Sequence, residues 1–336
     1  MHQTTAETLR QLLCSLGTSI RTRVIEGRRS QTAEALSTVA SHSIADTIYA
    51  IDKFGEEAIR EWFETQWPRS EPVEIIMEGL EEPLCIPHKT PPLNTKWKCL
   101  LDPIDGTRGI MYDKRSAWAL GGIAPQRGPE TKLSEIVAAA MTELPTTKQW
   151  RADQVSAVRG GGLIAQALNV LDGSSLPLSL APSRASSFRH GFAWMAKFFP
   201  EGRALTAQIE EELWADLVGI GRDASPTIFD DQYISSGGAF YELLAGHDRM
   251  VADLRPMVLP RLKLDASLVC HPYDVTGALL LSEAGVVYEH PLGGFPDAPL
   301  DTTSAITWIA YANPTLASIA RPVLQRILRQ MLLEER

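Results

Sequence analysis

Two carboxylates, a proline, a glycine and a hydroxyl fall within six consecutive residues, Asp102-Pro103-Ile104-Asp105-Gly106-Thr107. Asp102 and Asp105 are three residues apart across a rigid proline, so both carboxylates and the Ile104 carbonyl can face one centre from a tight turn. Oxygen ligands of this kind suit a hard divalent cation such as Mg²⁺. A helix beginning just after Gly106 would present free N–H groups that favour a phosphate. The segment therefore predicts a loop that holds a divalent metal and a phosphate.

Three further acidic residues fall at places where the predicted elements would bring them near such a loop. Glu78 closes the predicted strand 73–77, Asp274 opens the predicted helix 274–284, and Asp52 lies inside the predicted helix 43–67. Each residue alone has an ordinary interpretation: a solvated strand end, a helix N-cap or a surface carboxylate. An Asp-Gly pair is likewise usually just a turn. Residue types and spacing alone therefore indicate a metal site without distinguishing it from these simpler roles.

The motif at residues 102–107 resembles the first signature of the inositol monophosphatase superfamily. These are Mg²⁺-dependent, lithium-sensitive phosphatases that include inositol monophosphatases, fructose-1,6-bisphosphatases and 3′(2′),5′-bisphosphate nucleotidases. The second signature of the superfamily is a Trp-Asp that opens a helix closing with Glu-Ala-Gly. It is matched by Tyr273-Asp274 and by Glu283-Ala284-Gly285. The resemblance covers the chain from about residue 40 to its end.

Carried over position by position, the resemblance implies three groups of site residues. The side chains of Glu78, Asp102, Asp105 and Asp274, with the carbonyl of Ile104, would hold two or three Mg²⁺ ions. The phosphate would be bound by Asp105, Gly106, Thr107 and Arg108. The pair formed by Asp52 and Thr107, or else Glu78, would orient and deprotonate the attacking water.

The resemblance implies a Mg²⁺-dependent phosphoric monoester hydrolase of inositol-monophosphatase type. A metal-activated water would attack the phosphate in line, without a covalent phosphoenzyme. The alternative is a 3′(2′),5′-bisphosphate nucleotidase or a sugar bisphosphatase, because Arg108-Gly109 is similar to the Lys-Gly of bisphosphate nucleotidases and residues 255–263 are basic. For that basic segment, an exposed loop is weighted equally with a basic rim that binds a second phosphate. A third possibility is a non-catalytic relative that binds a phosphorylated metabolite.

The spacing of apolar residues predicts the helices and strands that must position the candidate site residues. It predicts helices from about Thr4 to Ile20 and over 43–67, 205–218, 239–245 and 274–284, with a last helix from Pro314. It predicts strands over 73–77, 97–101, 117–124, 136–141 and 305–312. Gly160-Gly161-Gly162 indicates a tight turn, because the lysine and hydroxyl of a P-loop are missing.

Helices and strands do not alternate strictly, which favours an α+β or α/β chain. The resemblance implies a layered α-β-α-β-α sandwich of the inositol monophosphatase or sugar phosphatase type. We expect an N-terminal α+β half, residues 1–150, to carry most metal ligands. A C-terminal α/β half, residues 151–336, would carry Asp274 and the substrate-side residues.

Composition narrows the class of partner. The 336 residues carry a net charge of −9 and are 44% apolar, which argues against a nucleic-acid polymer as partner because that requires a basic face. The N-terminal residues lack a signal-peptide pattern and no apolar run approaches the ~20 residues of a membrane span. The four cysteines form no C-x-x-C pair, as expected for free thiols. We expect a cytoplasmic protein that acts on a small phosphorylated metabolite without a membrane partner, and a homodimer is the default oligomer.

Overall fold

The fold is described from a computed structural model for residues 3–30, 33–42, 47–80, 82–219, 226–265 and 268–334. In these ranges no helix combines the length and the apolar character needed to cross a membrane. The N-terminal elements are α1 (Gln3–Ser30), α2 (Ala33–Leu36), the hairpin strands β1 (Val39–His42) and β2 (Thr47–Tyr49), and α3 (Asp52–Gln66).

The first predicted helix is confirmed and the start of the second one is wrong. Leu9, Leu13 and Leu16 recur at helical spacing and are buried on one face of α1. The helix predicted over 43–67 begins at Asp52, because residues 47–49 form β2 and the Asp52 carboxylate accepts the N–H of Tyr49 at the helix start. Residues 43–46 of that prediction lie outside the described residues. Asp52 therefore occupies the first turn of α3, where a negative charge is favoured.

The larger sheet has eight strands in the order β10-β9-β8-β7-β6-β5-β3-β4. All neighbours are antiparallel except β3 and β5. The strands are β3 (Val73–Met77), β4 (Leu84–Ile86), β5 (Trp97–Asp105), β6 (Ala117–Pro125), β7 (Ala138–Leu144), β8 (Arg151–Val158), β9 (Leu163–Asn169) and β10 (Ser175–Leu178). The predicted strands 73–77, 97–101, 117–124 and 136–141 all fall in this sheet.

Strand β5 extends further than its predicted end at Leu101. Its nine residues are all buried, and its pairing with β6 continues to Asp105. Asp102 lies opposite Leu120, whereas Asp105 lies opposite Trp118, so β5 uses three steps where β6 uses two. This extra residue is a β-bulge, and Pro103 sits within it because proline cannot donate to a regular ladder. The two aspartates are thus placed on a bent strand and not on a free loop.

The smaller sheet has five strands in the order β12-β11-β13-β15-β14. They are β11 (Gly191–Met195), β12 (Ile228–Phe229), β13 (Asp248–Asp253), β14 (Val287–Glu289) and β15 (Trp308–Tyr311). The remaining helices are α4 (Thr107–Ile110), α5 (Arg203–Val218), α6 (Ser236–Leu244), α7 (Arg255–Arg261), α8 (Ala278–Ala284) and α9 (Pro314–Leu328). Short 3₁₀ turns include Pro272–Val275, and a π turn, Arg329–Leu333, ends the described chain.

The elements stack as α-β-α-β-α, which confirms the predicted layered sandwich. Helices α1 and α3 cover one face of the larger sheet, α6 and α8 lie between the two sheets, and α5 and α9 cover the smaller sheet. One apolar core lies under α1 and α3, and a second fills the space around α6 and α8. By sheet membership, residues up to Leu178 belong with the larger sheet. The predicted division at residue 150 stays a prediction.

The last part of the chain differs in detail from the predicted helix over 274–284. Asp274 lies in the 3₁₀ turn, and α8 follows it and ends at Gly285, whose backbone is left-handed with φ of 82°. Glu283 on α8 accepts the N–H groups of Gly160 and Gly162 at 2.7 and 2.9 Å. The predicted tight turn at residues 160–162 is therefore confirmed, and the glutamate of the second signature fastens this turn to α8.

Candidate functional site: an acidic cleft between the two sheets

Three aspartates from two distant parts of the chain meet at the end of β5. Asp102 and Asp105 lie on the bulged strand, and Asp274 lies on the 3₁₀ turn before α8. One carboxylate oxygen of each lies within 4.8 Å of the others. Asp102 and Asp105 are buried. Within the described residues, this is the group of side chains whose arrangement could hold a metal ion.

All the residues that the sequence singled out line one cleft around these three aspartates. The cleft is lined by Asp52, Glu78, Asp102, Ile104, Asp105, Gly106, Thr107, Arg108 and Asp274. Glu78 follows the end of β3 and faces the cleft, although it lies outside the tight group of three carboxylates. The structure thus brings the predicted residues together, and their individual roles stay predictions.

The pKa values of the buried carboxyls of Asp102 and Asp105 are raised. Burial raises the pKa of Asp102 well above its usual range, and the nearby charges of Glu78, Asp105 and Asp274 raise it further. Burial, followed by the charge of Asp274, raises the pKa of Asp105 to about 7. Each effect disfavours the charged form, as expected when like charges share a poorly solvated site. A cation bound among these oxygens would relieve both effects.

Asp105 is aimed by the start of α6. Its Oδ2 accepts the hydroxyl of Ser235 at 2.8 Å and the N–H of Gly237 at 2.5 Å. Ser235 is also the N-cap of α6, because its Oγ accepts the N–H of Gly238 at 2.9 Å. A side chain at Gly237 would place its Cβ 3.0 Å from Asp105 Oδ2 and 2.7 Å from Leu120.

Ser235 and Gly237 are site residues that the sequence interpretation missed. The helix predicted over 239–245 begins earlier, at Ser236, so the run Ser235-Ser236-Gly237-Gly238 forms its start. A serine followed by small residues at a helix start is a common N-cap pattern. What could not be inferred is that the helix packs against the end of β5, more than a hundred residues earlier.

Asp274 is the third residue of the 3₁₀ turn, whose N-cap is His271, so the helix N-cap considered for Asp274 is wrong. Its Oδ2 accepts the N–H of His271 at 2.6 Å, as a helix-start carboxylate does, while an oxygen also belongs to the acidic group. His271 is buried, its Nδ1 lies 2.9 Å from the carbonyl oxygen of Ser304, and its ring stacks on Tyr273. These contacts hold His271 in place, and its backbone N–H in turn binds the carboxylate of Asp274.

Thr107 and Asp52, which also line the cleft, form a hydrogen-bonded pair. Thr107 Oγ1 is 2.8 Å from Asp52 Oδ1 and 2.8 Å from the carbonyl oxygen of Ile104. Because a hydroxyl carries one proton, it can donate to only one of these two oxygens at a time. When the Ile104 carbonyl is engaged elsewhere, the proton is directed to Asp52. This arrangement leaves a lone pair of Thr107 Oγ1 able to accept a hydrogen bond from a water.

Gly106 joins β5 to α4 in a backbone conformation that side chains resist. Its φ is 99°, and a Cβ at this position would lie 3.0 Å from the Cβ of Ser235 and 3.4 Å from the carbonyl oxygen of Ile234. The turn from β5 into α4 can therefore pass close to Ser235 only as glycine.

We expect Gly106→Ala to lose more stability than a matched alanine at Gly294. Both positions have positive φ, which costs about 1–2 kcal/mol for a residue with a side chain, but a Cβ at Gly294 meets no atom within 4 Å. The contact with Ser235 should add about 1 kcal/mol or more. Urea denaturation of the two variants measures the difference. Equal losses would show that the backbone conformation, and not the close approach, requires glycine at position 106.

The basic residues of the segment 255–263 do not form a common rim. Arg255 lines the cleft, but it is paired through Nε at 2.9 Å and Nη2 at 2.5 Å with the buried carboxylate of Asp253. Its Nη1 donates to the carbonyl of Leu268. Arg261 faces away, toward the carbonyl oxygens of Met331 and Glu334. The segment is mostly the helix α7, so neither the rim nor the exposed loop considered for it describes it well.

The donor atoms of the acidic group fit a hard divalent cation. All are carboxylate oxygens, from the buried Asp102 and Asp105 and the partly buried Asp274, and oxygen ligands are the preference of Mg²⁺. Burial first, and then the neighbouring negative charges, raise the pKa values of Asp102 and Asp105, and such an ion would balance those charges.

Comparisons with known proteins identify solved structures with a similar fold. No protein-family model matches the sequence, and no curated relative matches it either. Solved structures match across nearly the whole chain at low identity. Fructose-1,6-bisphosphatase from Leishmania major in holo form has a TM-score of 0.66 and 12% identity, covering 94% of this chain and 93% of its own. The extragenic suppressor protein SuhB from Bartonella henselae has a TM-score of 0.63 and 15% identity, with 96% and 99% covered.

A third match is a protein assigned as a sedoheptulose-1,7-bisphosphatase from Toxoplasma gondii, with a TM-score of 0.68 and 13% identity over 97% and 96% of the two chains. These proteins all belong to one superfamily, the one that the two sequence motifs resemble. The chain therefore has the fold of the inositol monophosphatase and fructose-1,6-bisphosphatase superfamily.

Proposed function

We propose that this protein hydrolyses phosphate monoesters in a reaction that depends on Mg²⁺. The observation that carries the proposal is the meeting of Asp102, Asp105 and Asp274 within 4.8 Å, beside the hydrogen-bonded pair of Asp52 and Thr107. The three aspartates are suited to bind a cation, and the pair of Asp52 and Thr107 is suited to bind a water molecule. The fold, shared with phosphatases of the superfamily, supports the same conclusion. No covalent intermediate is required of any side chain.

The residues of the cleft would divide the work by their chemistry. Asp102, Asp105, Asp274 and Glu78, with the Ile104 carbonyl, would hold the metal. Bound Mg²⁺ supplies Lewis-acid stabilisation of negative charge on the phosphate and lowers the pKa of a coordinated water. Thr107 would accept a hydrogen bond from the attacking water and pass its own proton toward Asp52 Oδ1, with Glu78 as the other candidate base. Gly106 and Thr107, at the start of α4, would offer N–H groups to the phosphate, and Arg108 would add positive charge.

The bisphosphate alternative keeps the same acidic group and needs a second anion site. Arg108 lines the cleft and supports this alternative. Arg255 supports it less, because its charge is balanced by the buried Asp253. A substrate with a single phosphate group is therefore the class that the cleft favours. A relative that only binds a phosphorylated metabolite would keep the pocket but release no phosphate.

Phosphate release from a panel of esters tests the proposal. We expect turnover with Mg²⁺ on at least one of several inositol phosphates, fructose-1,6-bisphosphate, histidinol phosphate, adenosine 3′,5′-bisphosphate and simple alkyl phosphates. EDTA should abolish it and added Mg²⁺ should restore it. Asp274→Asn should be inactive, whereas Asp248→Asn should be active, since Asp248 is a buried aspartate outside the cleft.

Two results would contradict the proposal. One is the absence of phosphate release by the wild-type protein from every ester. The other is full activity of Asp274→Asn, which would mean that the acidic group is not the metal site. Inhibition by lithium at millimolar order is a further expectation that follows from the resemblance to the superfamily. It would reflect lithium bound at one of the carboxylate sites.

A further inference from the structure

The lining of the cleft also includes apolar side chains. These side chains are Phe198, Phe199, Ile234, Leu268 and Val269. Ile234 is 37% exposed and Leu268 42% exposed, although both are large and hydrophobic. Apolar side chains that stay accessible at the mouth of a polar cleft indicate a surface that a ligand covers. We call these five residues the apolar wall.

The two phenylalanines of the wall are held on a fastened segment. The N–H of Lys197 donates to the side chain of Gln232 at 2.7 Å, and its carbonyl accepts Arg203 Nε at 2.9 Å. The ammonium of Lys197 is buried against the carboxylate of Glu210 at 2.6 Å. Gln232 and Arg203 thus hold the backbone immediately before Phe198, and Glu210 holds the side chain of Lys197. A recognition surface built this way loses little conformational entropy when a ligand binds.

Two arginines lie against the rings of Phe198 and Phe199. The Arg255 guanidinium lies 4.7 Å from the ring centroid of Phe198 and 5.5 Å from that of Phe199. Its charge is balanced by Asp253, and its Nη1 is engaged by the carbonyl of Leu268. Arg108 lies 5.5 Å from the Phe199 centroid on the side of the cleft that carries Thr107. The rings are thereby fixed in place, and the surface that they offer is an aromatic one.

We propose that the apolar wall binds the alcohol portion of the substrate, and that this alcohol carries an aromatic or heteroaromatic ring. The inference rests on the proposed phosphatase function, because it takes the acidic group as the site of the phosphate. A polyol would bury its hydroxyls against Phe198, Phe199 and Leu268 without partners, which is costly. A flat ring would cover the same side chains and gain aromatic contacts. Phe199 is the specificity-determining residue of this wall.

A pair of esters with similar leaving alcohols tests the inference. The probes are 2-phenylethyl phosphate and glycerol 1-phosphate, because both release a primary alcohol and differ mainly in the group that the wall would contact. We expect kcat/KM of the wild-type protein to be at least about 10-fold higher for the phenylethyl ester, in the range that one apolar pocket provides. Phe199→Ala should bring the ratio near one by lowering only the phenylethyl value.

The matched control is Phe192→Ala. Phe192 is 40% exposed on β11, outside the cleft, and should leave the ratio unchanged. Phe199→Leu retains apolar volume and serves if the alanine variant fails to fold; it should give an intermediate ratio. A wild-type preference for glycerol 1-phosphate, or an equal loss on both esters in the Phe199 variants, would overturn the inference while leaving the phosphatase function intact. If the wild type hydrolysed neither probe but released phosphate from another ester of the panel, the inference would also be overturned, whereas no release from any ester would contradict the proposed function.

Discussion

Replacing Asp105 by asparagine should abolish phosphate release and, in the presence of EDTA, make the protein more stable than the wild type above neutral pH. The loss of activity follows from the proposed role of Asp105 in the acidic group. Mutation of residues that merely support metal ligands typically costs about 10–100-fold, so loss of a ligand should cost at least about 100-fold. The amide oxygen of asparagine can still accept the hydrogen bonds from Ser235 and Gly237, so the local fold should persist.

The gain in stability follows from the raised pKa of Asp105. Burial and the charge of Asp274 raise it to about 7, above the value near 3.9 expected for an unfolded chain. Between these two values the folded protein holds a proton that the unfolded protein releases, so stability falls as pH rises from about 4 to about 7. Asparagine has no such dependence. Its advantage should therefore be small near pH 4 and reach about 2–4 kcal/mol above pH 7.

Urea denaturation at pH 5 and pH 8, with EDTA and then with Mg²⁺, measures this advantage. Asp248→Asn is the matched control, because burial raises the pKa of Asp248 to about 7 and the residue lies outside the cleft. It should show a similar pH-dependent gain in stability but keep its phosphatase activity. Mg²⁺ should stabilise the wild type and the Asp248 variant more than the Asp105 variant. Wild-type turnover in Asp105→Asn, or no relative gain at pH 8, would contradict this account.

Replacing Thr107 by valine should lower kcat by about 100-fold to 10,000-fold, the range typical of a lost proton-transfer group. Valine has nearly the shape of threonine but cannot donate to Asp52 Oδ1 or accept a hydrogen bond from a water. Thr107→Ser should retain most of the activity because it keeps the hydroxyl. Since Thr107 Oγ1 acts in the proposal on the water more than on the ester, KM should change much less than kcat. Steady-state kinetics with the best ester of the panel measures both constants.

Thr131→Val is the control for this change. Thr131 is fully buried outside the cleft, and its hydroxyl accepts the N–H of Arg127 at 2.8 Å and donates to the carbonyl of Gly128 at 3.0 Å. Its loss should cost about 1–3 kcal/mol of stability, because two polar groups lose a partner, and should leave kcat unchanged. If Thr107→Val and Thr131→Val lowered kcat equally, or if Thr107→Ser were as slow as valine, the proton role of Thr107 would be wrong.

Local patterns in the sequence were enough to predict much of the fold. Helix α1 follows from leucines at helical spacing, and β3 and β6 follow from short apolar runs with turn residues beside them. Such signals are local, because a helix or strand is favoured by neighbours a few residues away. The predicted start of α3 is wrong because the prediction used only local spacing. Ile48 and Ile51 keep the helical spacing, but residues 47–49 pair with β1.

The identity of the acidic residues was readable from the sequence, and their convergence was not. Asp102-Pro103-Ile104-Asp105-Gly106-Thr107 specified the types of ligand and, with the second motif, the superfamily whose fold the structure shares. Only the tertiary structure decided that Asp274 meets Asp102 and Asp105, that the start of α6 aims Asp105, and that the residues of the apolar wall line the same cleft. The physical reason is that these contacts join segments far apart in the chain, through packing between two sheets, which no local pattern encodes.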